Sequence, residues 1–167
     1  MNTFSIIVAI AENNAIGKDG DLLWHIHEDM VYFRNTTRSH PVVMGRKTWE
    51  SLQIKPLPKR RNYVITNNKD FQFENVIVLH SLEEIKHLPD TNEEYFIIGG
   101  GSIYKEFLPI CSKLYLTEVY AKFENADTFF PKIDEKDWET ISESEVFIDK
   151  ESSLKFRFKE LVRKSCK

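Results

Sequence analysis

Tyr95, Phe96, Ile97 and Ile98 make an apolar stretch that runs straight into Gly99, Gly100 and Gly101, and an amphipathic helical pattern begins near Ser102. A strand that breaks at glycines into a helix calls for an α/β arrangement, with a helix laid back on a sheet. It is also the layout of a nucleotide site. Glycines without Cβ let backbone amides approach a pyrophosphate closely, and the helix beyond them adds unpaired N–H groups and the positive end of its dipole. Many strand-to-helix turns need glycine for packing alone, and the spacing here lacks the full dinucleotide fingerprint with its downstream acid. On this segment by itself both readings stand.

The rest of the chain alternates in the same way. Strands are expected at Phe4–Ala11, Pro41–Met44, Asn62–Thr66, Val76–Leu79, Tyr95–Ile98 and Lys113–Tyr120, several apolar throughout, as strands covered on both faces tend to be. Helices fall between them at Ile26–Thr36, Arg46–Leu52, Leu82–Leu88 and Ser102–Leu108, the last stopped by Pro109. In the final third no helix separates Trp138–Ile148 from Leu154–Val162, and Leu154, Phe156 and Phe158 alternate with Lys155, Arg157 and Lys159. That pattern predicts a closing antiparallel hairpin on a mixed sheet. With no repeat and no linker, residues 1–167 read as one domain.

Composition narrows the function classes. With 167 residues, 41% of them hydrophobic, the chain can bury a real core. A net charge of −3 and no basic stripe argue against nucleic acid, and Arg163, Lys164 and Lys167 read as a solvated tail. The longest apolar run, Ile6 to Ala11, is far too short for a membrane span, and the N-terminus has no export pattern, so a cytoplasmic location is expected. Cys111 and Cys166 lie far apart with no CxxC pattern, which predicts free thiols and no metal site.

A second chemical signal follows Trp24. Ile26, Met30 and Phe33 recur at helical spacing and Asp29 shares their face, whereas Glu28 is turned about 100° away into solvent. An acid in a first helical turn is commonly wet and favoured by the dipole. Facing a pocket lined by Trp24, Met30 and Phe33, it needs a donor pair such as the amidine-like edge of a heterocycle. The third signal is Val42-Val43-Met44 breaking at Gly45 into Arg46, Lys47, Thr48 and Trp49, a second turn able to meet phosphate, or merely a helix start with exposed charges.

These pieces join others in a specific order: Ala15-Ile16-Gly17; Leu23-Trp24 with Asp29 and Phe33; Val43 through Ser51; Pro56-Leu57-Pro58 with Arg60, Arg61 and Asn62; Ile98 through Tyr104; Leu114-Tyr115-Leu116-Thr117; and Ala126-Asp127-Thr128 with Phe129, Phe130 and Pro131. Over nearly its whole length the chain so read resembles dihydrofolate reductase of the bacterial chromosomal type. The resemblance implies NADPH-dependent reduction of 7,8-dihydrofolate to 5,6,7,8-tetrahydrofolate, with hydride delivered to C6 and a proton to N5, in support of one-carbon metabolism. It implies an eight-stranded, mostly parallel sheet with four flanking helices, a monomer, and antifolate inhibitors as ligands.

For the site, the resemblance implies Asp29 as the acid that meets the pterin 2-amino group and N3 region, Thr117 as its support, and an N5 proton arriving through water. Burial against Trp24 and Phe33 would raise the Asp29 pKa. Trp24 and Leu22 belong to the catalytic set, Leu22 from a lid at Glu12–Leu23 with Gly17 and Gly20 as hinges. Ile7, Val8, Ala9, Met30, Phe33, Leu52, Leu57, Ile98 and Tyr104 match the walls of the pterin and benzoyl pockets or touch nicotinamide. Arg60 matches the arginine that forks onto the α-carboxylate of the glutamate tail. Gly45, Arg46, Lys47, Thr48, Thr66 and Asn67 match the adenosine end of the cofactor site, with Arg46 and Thr66 on the 2′-phosphate. Ile98, Gly99, Gly100, Gly101, Ser102, Ile103 and Tyr104 match the pyrophosphate and nicotinamide side, and Ala9, Ile16, Gly17 and Thr128 complete the set. The Gly99–Gly100 peptide is cis in the family.

The chain departs from the family pattern at Leu23 and His27, where proline is usual, and at Ser102, where some relatives carry arginine. His25 and His27 read as solvated or capping residues. Two other readings are a riboflavin-pathway reductase, which would lack the Asp29, Phe33 and Arg60 set, and a nucleotide-binding module without catalysis.

Overall fold

Strand β1 (Thr3–Ala11) sends Ile6, Val8 and Ile10 into one apolar cluster and Ile7 into another, so both of its faces are covered. The computed structural model describes residues 1–164, and the expectation of a free thiol at Cys166 and of a charged terminus at Lys167 lies outside them. After β1 come a short strand β2 (Ala15–Gly17), helix α1 (His27–Thr37), β3 (Val42–Gly45), α2 (Arg46–Ser51), β4 (Asn62–Ile65), β5 (Val76–Leu79), α3 (Leu82–Lys86), β6 (Glu94–Gly99) and α4 (Gly101–Phe107). A 3-10 turn at Leu108–Ile110, holding Pro109, ends α4. Strands β7 (Lys113–Val119), β8 (Thr128–Phe129), β9 (Trp138–Glu143), β10 (Phe147–Ile148) and β11 (Lys155–Arg163) complete the chain.

The main sheet runs β10-β11-β7-β1-β6-β3-β4-β5, with β9 also paired to β11. Every pairing from β7 to β5 is parallel, and β11 joins β7, β9 and β10 antiparallel. Because β9 and β10 occupy the same side of β11, the sheet is eight strands wide, as expected. The stretch Trp138–Ile148, expected as one strand, is interrupted: the β9 ladder shifts register at Glu160/Leu161, and Ser144 instead caps Phe158, its Oγ accepting from Phe158 N at 2.9 Å.

Helices α3 and α4 bury Ile85, Ile103, Tyr104 and Phe107 against the Ile6 face, while α1 and α2 cover the Ile7 face with Tyr32, Phe33 and Trp49. Ser81 caps α3, its Oγ accepting from Glu84 N. Phe107 is fully buried and adjoins Phe4, so Phe107→Ala costs about 3–5 kcal/mol of stability, read by urea denaturation; a loss under about 1 kcal/mol means that the cluster collapses into the space.

Three sequence expectations change. Arg163 is no solvated tail: its guanidinium lies 4.4 Å over the Trp138 ring and donates to the carbonyls of Cys111 and Leu108. Met30 is 59% exposed rather than lining the Asp29 pocket, because the apolar cover of α1 comes from Tyr32 and Phe33 instead. Ile26 is buried but precedes the helix as its N-cap, with extended backbone.

Candidate functional site

Strands β6 and β3 are neighbours, both end in glycine and both lead into helices, so the two glycine turns meet. A Cβ at Gly100 would lie 3.3 Å from Thr48 Oγ1, and one at Gly45 would lie 3.1 Å from Ile103 Cγ1. At Gly99 the backbone has φ +125°, and an added Cβ would sit 3.3 Å from Tyr104 Oη. The Gly99–Gly100 peptide is cis, as the family resemblance implied. An added Cβ at Gly101 would be 2.6 Å from Thr128 Cγ2. These turns are therefore shaped so that backbone, not side chain, faces the open space beside them.

That space is a cleft of about 190 Å³, lined by Val8, Ala9, Ile16, Gly17, Leu22, Lys47, Thr48, Ile98, the three glycines, Tyr104 and Thr128, all expected from sequence. Gly20, expected as a lid hinge, also lines it, as do Lys18, Asp21 and Ser51, which were not singled out. Ser51 lies inside the quoted Val43–Ser51 motif, which was the signal available. Tyr104 is buried, donates to Ile7 O at 3.0 Å, and burial together with the nearby Asp29 charge pushes its phenol far up. Tyr104 therefore acts as a neutral wall.

At the mouth, Leu22 is 59% exposed and the segment from Glu12 to Leu23 is pinned. Its β2 pairs antiparallel with β8, Asp127 Oδ2 accepts from Asp19 N at 2.9 Å, and Asp127 N donates to Gly17 O. Gly20 takes φ +79°, while a Cβ at Gly17 would press on Asp21 O at 2.9 Å. Sequence treated this segment as a loop, and the short β2–β8 ladder and the tie from Asp127, quoted only as part of a motif, went unrecognised: two- and three-residue strands carry no periodic signal. Trp24 is buried against Phe123, ring centroids 5.2 Å apart, in the cluster with Ile26 that supports the lid's far end.

Asp29 stands in the first turn of α1 and Thr117 on β7, paired in register with Ala9 of β1. Thr117 Oγ1 donates to Asp29 Oδ1 at 2.6 Å. Burial raises the Asp29 pKa above the ordinary carboxylate range, and the Thr117 hydrogen bond opposes it. Glu28 is exposed, as expected from its angle on the helix, and so are His25 and His27.

Phe33, Leu52, Leu57 and Ile98 are partly buried around Ile7 and form one apolar wall. Arg60 is aimed rather than free: its Nε donates to Pro58 O and its Nη1 to Thr37 Oγ1, both at 2.8 Å. The fully buried Thr37 was not foreseen as a partner. Arg46 is exposed and pairs with Glu50 at 3.3 Å, one turn along α2, while Thr66, partly buried, and Asn67 and Ser102, exposed, lie at strand and helix ends. Cys111 is a buried free thiol whose pKa is pushed up to about 12 by burial, and no metal-holding cluster of acids, histidines or cysteines occurs among the described residues.

The profile of the dihydrofolate reductase family matches residues 3–163. The chain is 38% identical to dihydrofolate reductase of Bacillus subtilis (strain 168) over 154 residues, 92% of this chain and 90% of that protein. It is 41% identical to dihydrofolate reductase of Haemophilus influenzae over 162 residues, 97% and 99% of the two chains. A solved structure of dihydrofolate reductase from Enterococcus faecalis, complexed with NADP(H) and RAB-propyl, superposes with a TM-score of 0.89 at 36% identity, covering 98% of this chain and 97% of that one. By its sheet order, its glycine cradle and these matches, the chain belongs to the dihydrofolate reductase family.

Proposed function

We infer that this protein reduces 7,8-dihydrofolate to 5,6,7,8-tetrahydrofolate with NADPH, C6 taking a hydride and N5 a proton. The observation that carries this reading is the Asp29–Thr117 pair beside the glycine cradle, in a chain of this family. The cradle fits a dinucleotide, since Cβ atoms at Gly45, Gly99 and Gly100 would press on side chains that follow the two turns, and one at Gly101 on Thr128. When bound, NADPH supplies the hydride.

The chain's own residues do the rest. Asp29 accepts hydrogen bonds from the pterin 2-amino edge and holds a proton near the ring, with Thr117 fixing its rotamer. Phe33, Leu52, Leu57 and Ile98 sandwich the apolar body of the substrate, and Val8, Ala9 and Tyr104 keep the reacting end dry. Arg60, held by Pro58 and Thr37, presents its remaining N–H groups to the α-carboxylate of the tail. Gly99 to Gly101, with Ser102, Ile103 and Tyr104, hold the pyrophosphate and nicotinamide side; Ile16, Gly17, Thr128 and Leu22 close over it; Gly45, Arg46, Lys47 and Thr48, with Thr66 and Asn67, receive the adenosine end. We read Met30 and Ser102 as rim residues of the substrate and cofactor sites. We also read the chain as one domain, working as a monomer in the cytoplasm.

The test is loss of NADPH absorbance when dihydrofolate is added. Turnover is expected, and binding of NADPH without turnover sinks the folate assignment in favour of a nucleotide-binding module. Arg46→Gln tests the 2′-phosphate grip: it should raise KM for NADPH by about 10-fold and leave KM for NADH nearly unchanged, since only NADPH carries the extra dianion. Equal effects on the two cofactors count against a role at the 2′-phosphate.

A further inference from the structure

Helix α1 brings Asp29 to the site without a side-chain cap: Ile26, just before the first turn, has nothing with which to accept from the free N–H groups there. Packing must hold that turn in place. On the sheet, Thr117 of β7 and Phe158 of β11 are paired in register, so their side chains leave on the same face, roughly 5 Å apart. Thr117 meets Asp29, and Phe158 meets Tyr32, three residues farther along α1, the two rings stacked with centroids 4.2 Å apart and planes 17° from parallel. The helix thus stands on two strands through two rungs, one polar and one aromatic. Phe158 is backed by Phe147 and Phe156, with centroids 6.0 and 5.7 Å away, and its N donates to Ser144 Oγ. Tyr32 packs on the apolar cluster around Ile7 and Phe158 on the one around Trp24 and Ile26, so the stack joins the two clusters beside the Asp29–Thr117 pair.

Burial and the Thr117 hydrogen bond act on the Asp29 carboxyl in opposite directions, and among the described residues no charged side chain shifts it. Glu28, His25 and His27 are exposed. The phenols that sense its charge, Tyr32 on α1 and Tyr104 on α4, are kept neutral by burial, Tyr32 at about 12. Glu160 on β11 acts on Tyr32 and pairs with Lys113 Nζ at 3.7 Å. Apolar packing is therefore what keeps water from this carboxyl. We propose that Tyr32 and Phe158 are positioning residues for the reaction: their stack seats the first turn of α1 on Thr117 and closes that side of Asp29 to water. The inference rests on the reading of Asp29 as the acid that manages the proton, and names what sets its surroundings.

The experiment follows kcat/KM for dihydrofolate from about pH 5 to about pH 9 in the parent, in Phe158→Leu and Tyr32→Leu, which lose a ring, and in Tyr32→Phe, which loses only the hydroxyl. Water admitted to the carboxyl lets it ionise at lower pH. Activity of the leucine variants should start its alkaline fall about 0.5 to 1 pH unit earlier, giving about 3- to 10-fold less than the parent at pH 8 and a value within about two-fold of it on the acid side. Tyr32→Phe should trace the parent. Removing either ring opens the same contact, so one leucine variant that folds suffices. A profile that keeps its shape, whether unchanged or lowered equally at every pH, overturns the proposal; so does a Tyr32→Phe profile displaced as far as that of Tyr32→Leu, which assigns the effect to the hydroxyl. Urea denaturation at several pH values adds a readout free of activity. The stability that the parent loses as pH rises through the raised Asp29 pKa should be smaller in the leucine variants, and an equal loss counts against the stack. If no form turns over dihydrofolate, the folate reading fails while the urea series still decides the role of the stack.

Discussion

Asp29→Asn should lower kcat/KM for dihydrofolate by about 10²- to 10⁴-fold, the span lost when a positioned group no longer manages a proton in the transition state. The amide can still accept from Thr117 and fill the same volume, so the loss isolates the proton and the charge. Burial holds the Asp29 carboxyl above its ordinary range, with the Thr117 hydrogen bond opposing, and the protonated form is the one suited to the reaction. Rate in the parent therefore falls as pH rises through that raised pKa, whereas the residual rate of the variant does not follow the same step. Stability of the parent falls over the same rise in pH. An acid whose pKa is higher in the folded than in the unfolded chain contributes stability that is complete below the unfolded pKa and lost as pH rises through the folded one. The variant should accordingly be at least as stable as the parent at pH 8, with the difference shrinking toward acid, as measured by urea denaturation at several pH values. A pH–rate profile unchanged by the substitution removes Asp29 from proton management. A variant that loses stability equally at every pH marks the residue as structural.

Gly99→Ala should weaken NADPH binding by about 10- to 100-fold. Two causes add. At φ +125° an L side chain is strained by about 1–3 kcal/mol, and the new Cβ would stand 3.3 Å from Tyr104 Oη and 3.4 Å from Thr48 Oγ1. Neither neighbour can retreat cheaply. Tyr104 is buried and tied to Ile7 O at 3.0 Å, and Thr48 sits in α2 where the second glycine turn begins. The strain falls on the cradle itself, so the dissociation constant for NADPH should rise far more than that for dihydrofolate, read separately by quenching of tryptophan fluorescence. Equal weakening of both ligands points to a general loss of structure, and unchanged NADPH affinity removes Gly99 from the cradle.

Much of the site could be read from the chain because its signals are local. The glycine triplet, the strand before it and the helix after it are contiguous, and so are Val43 to Ser51; the backbone requirement and the residue that satisfies it lie in one stretch. The position of Asp29 on α1 follows in the same way from about 3.6 residues per turn. The alternation of Ile6 and Ile7 between two cores follows from the two-residue period of a strand. Motif order then supplied the family, and with it the expected sheet.

What lay beyond the sequence are the meetings between distant segments. The Thr117–Asp29 pair, 88 residues apart, was expected only through the family resemblance; no local signal carries it, and it depends on β7 lying beside β1 in register. That Arg60 would be aimed by Thr37 depends on α1 ending over the turn that precedes β4. Arg163 looked like solvated charge because nothing nearby in the chain announces Trp138 or the free carbonyls of Leu108 and Cys111. Met30 looked apolar and inward because helical periodicity gives the angle of a side chain and not what stands opposite it. The lid is tied down by Asp127 and by a ladder of two short strands, contacts whose cost in chain entropy is met only once the whole sheet has formed. Local backbone chemistry was thus written in the sequence, and the pairing of groups far apart along it was decided by the fold, because only packing selects which of many possible partners come within hydrogen-bonding distance.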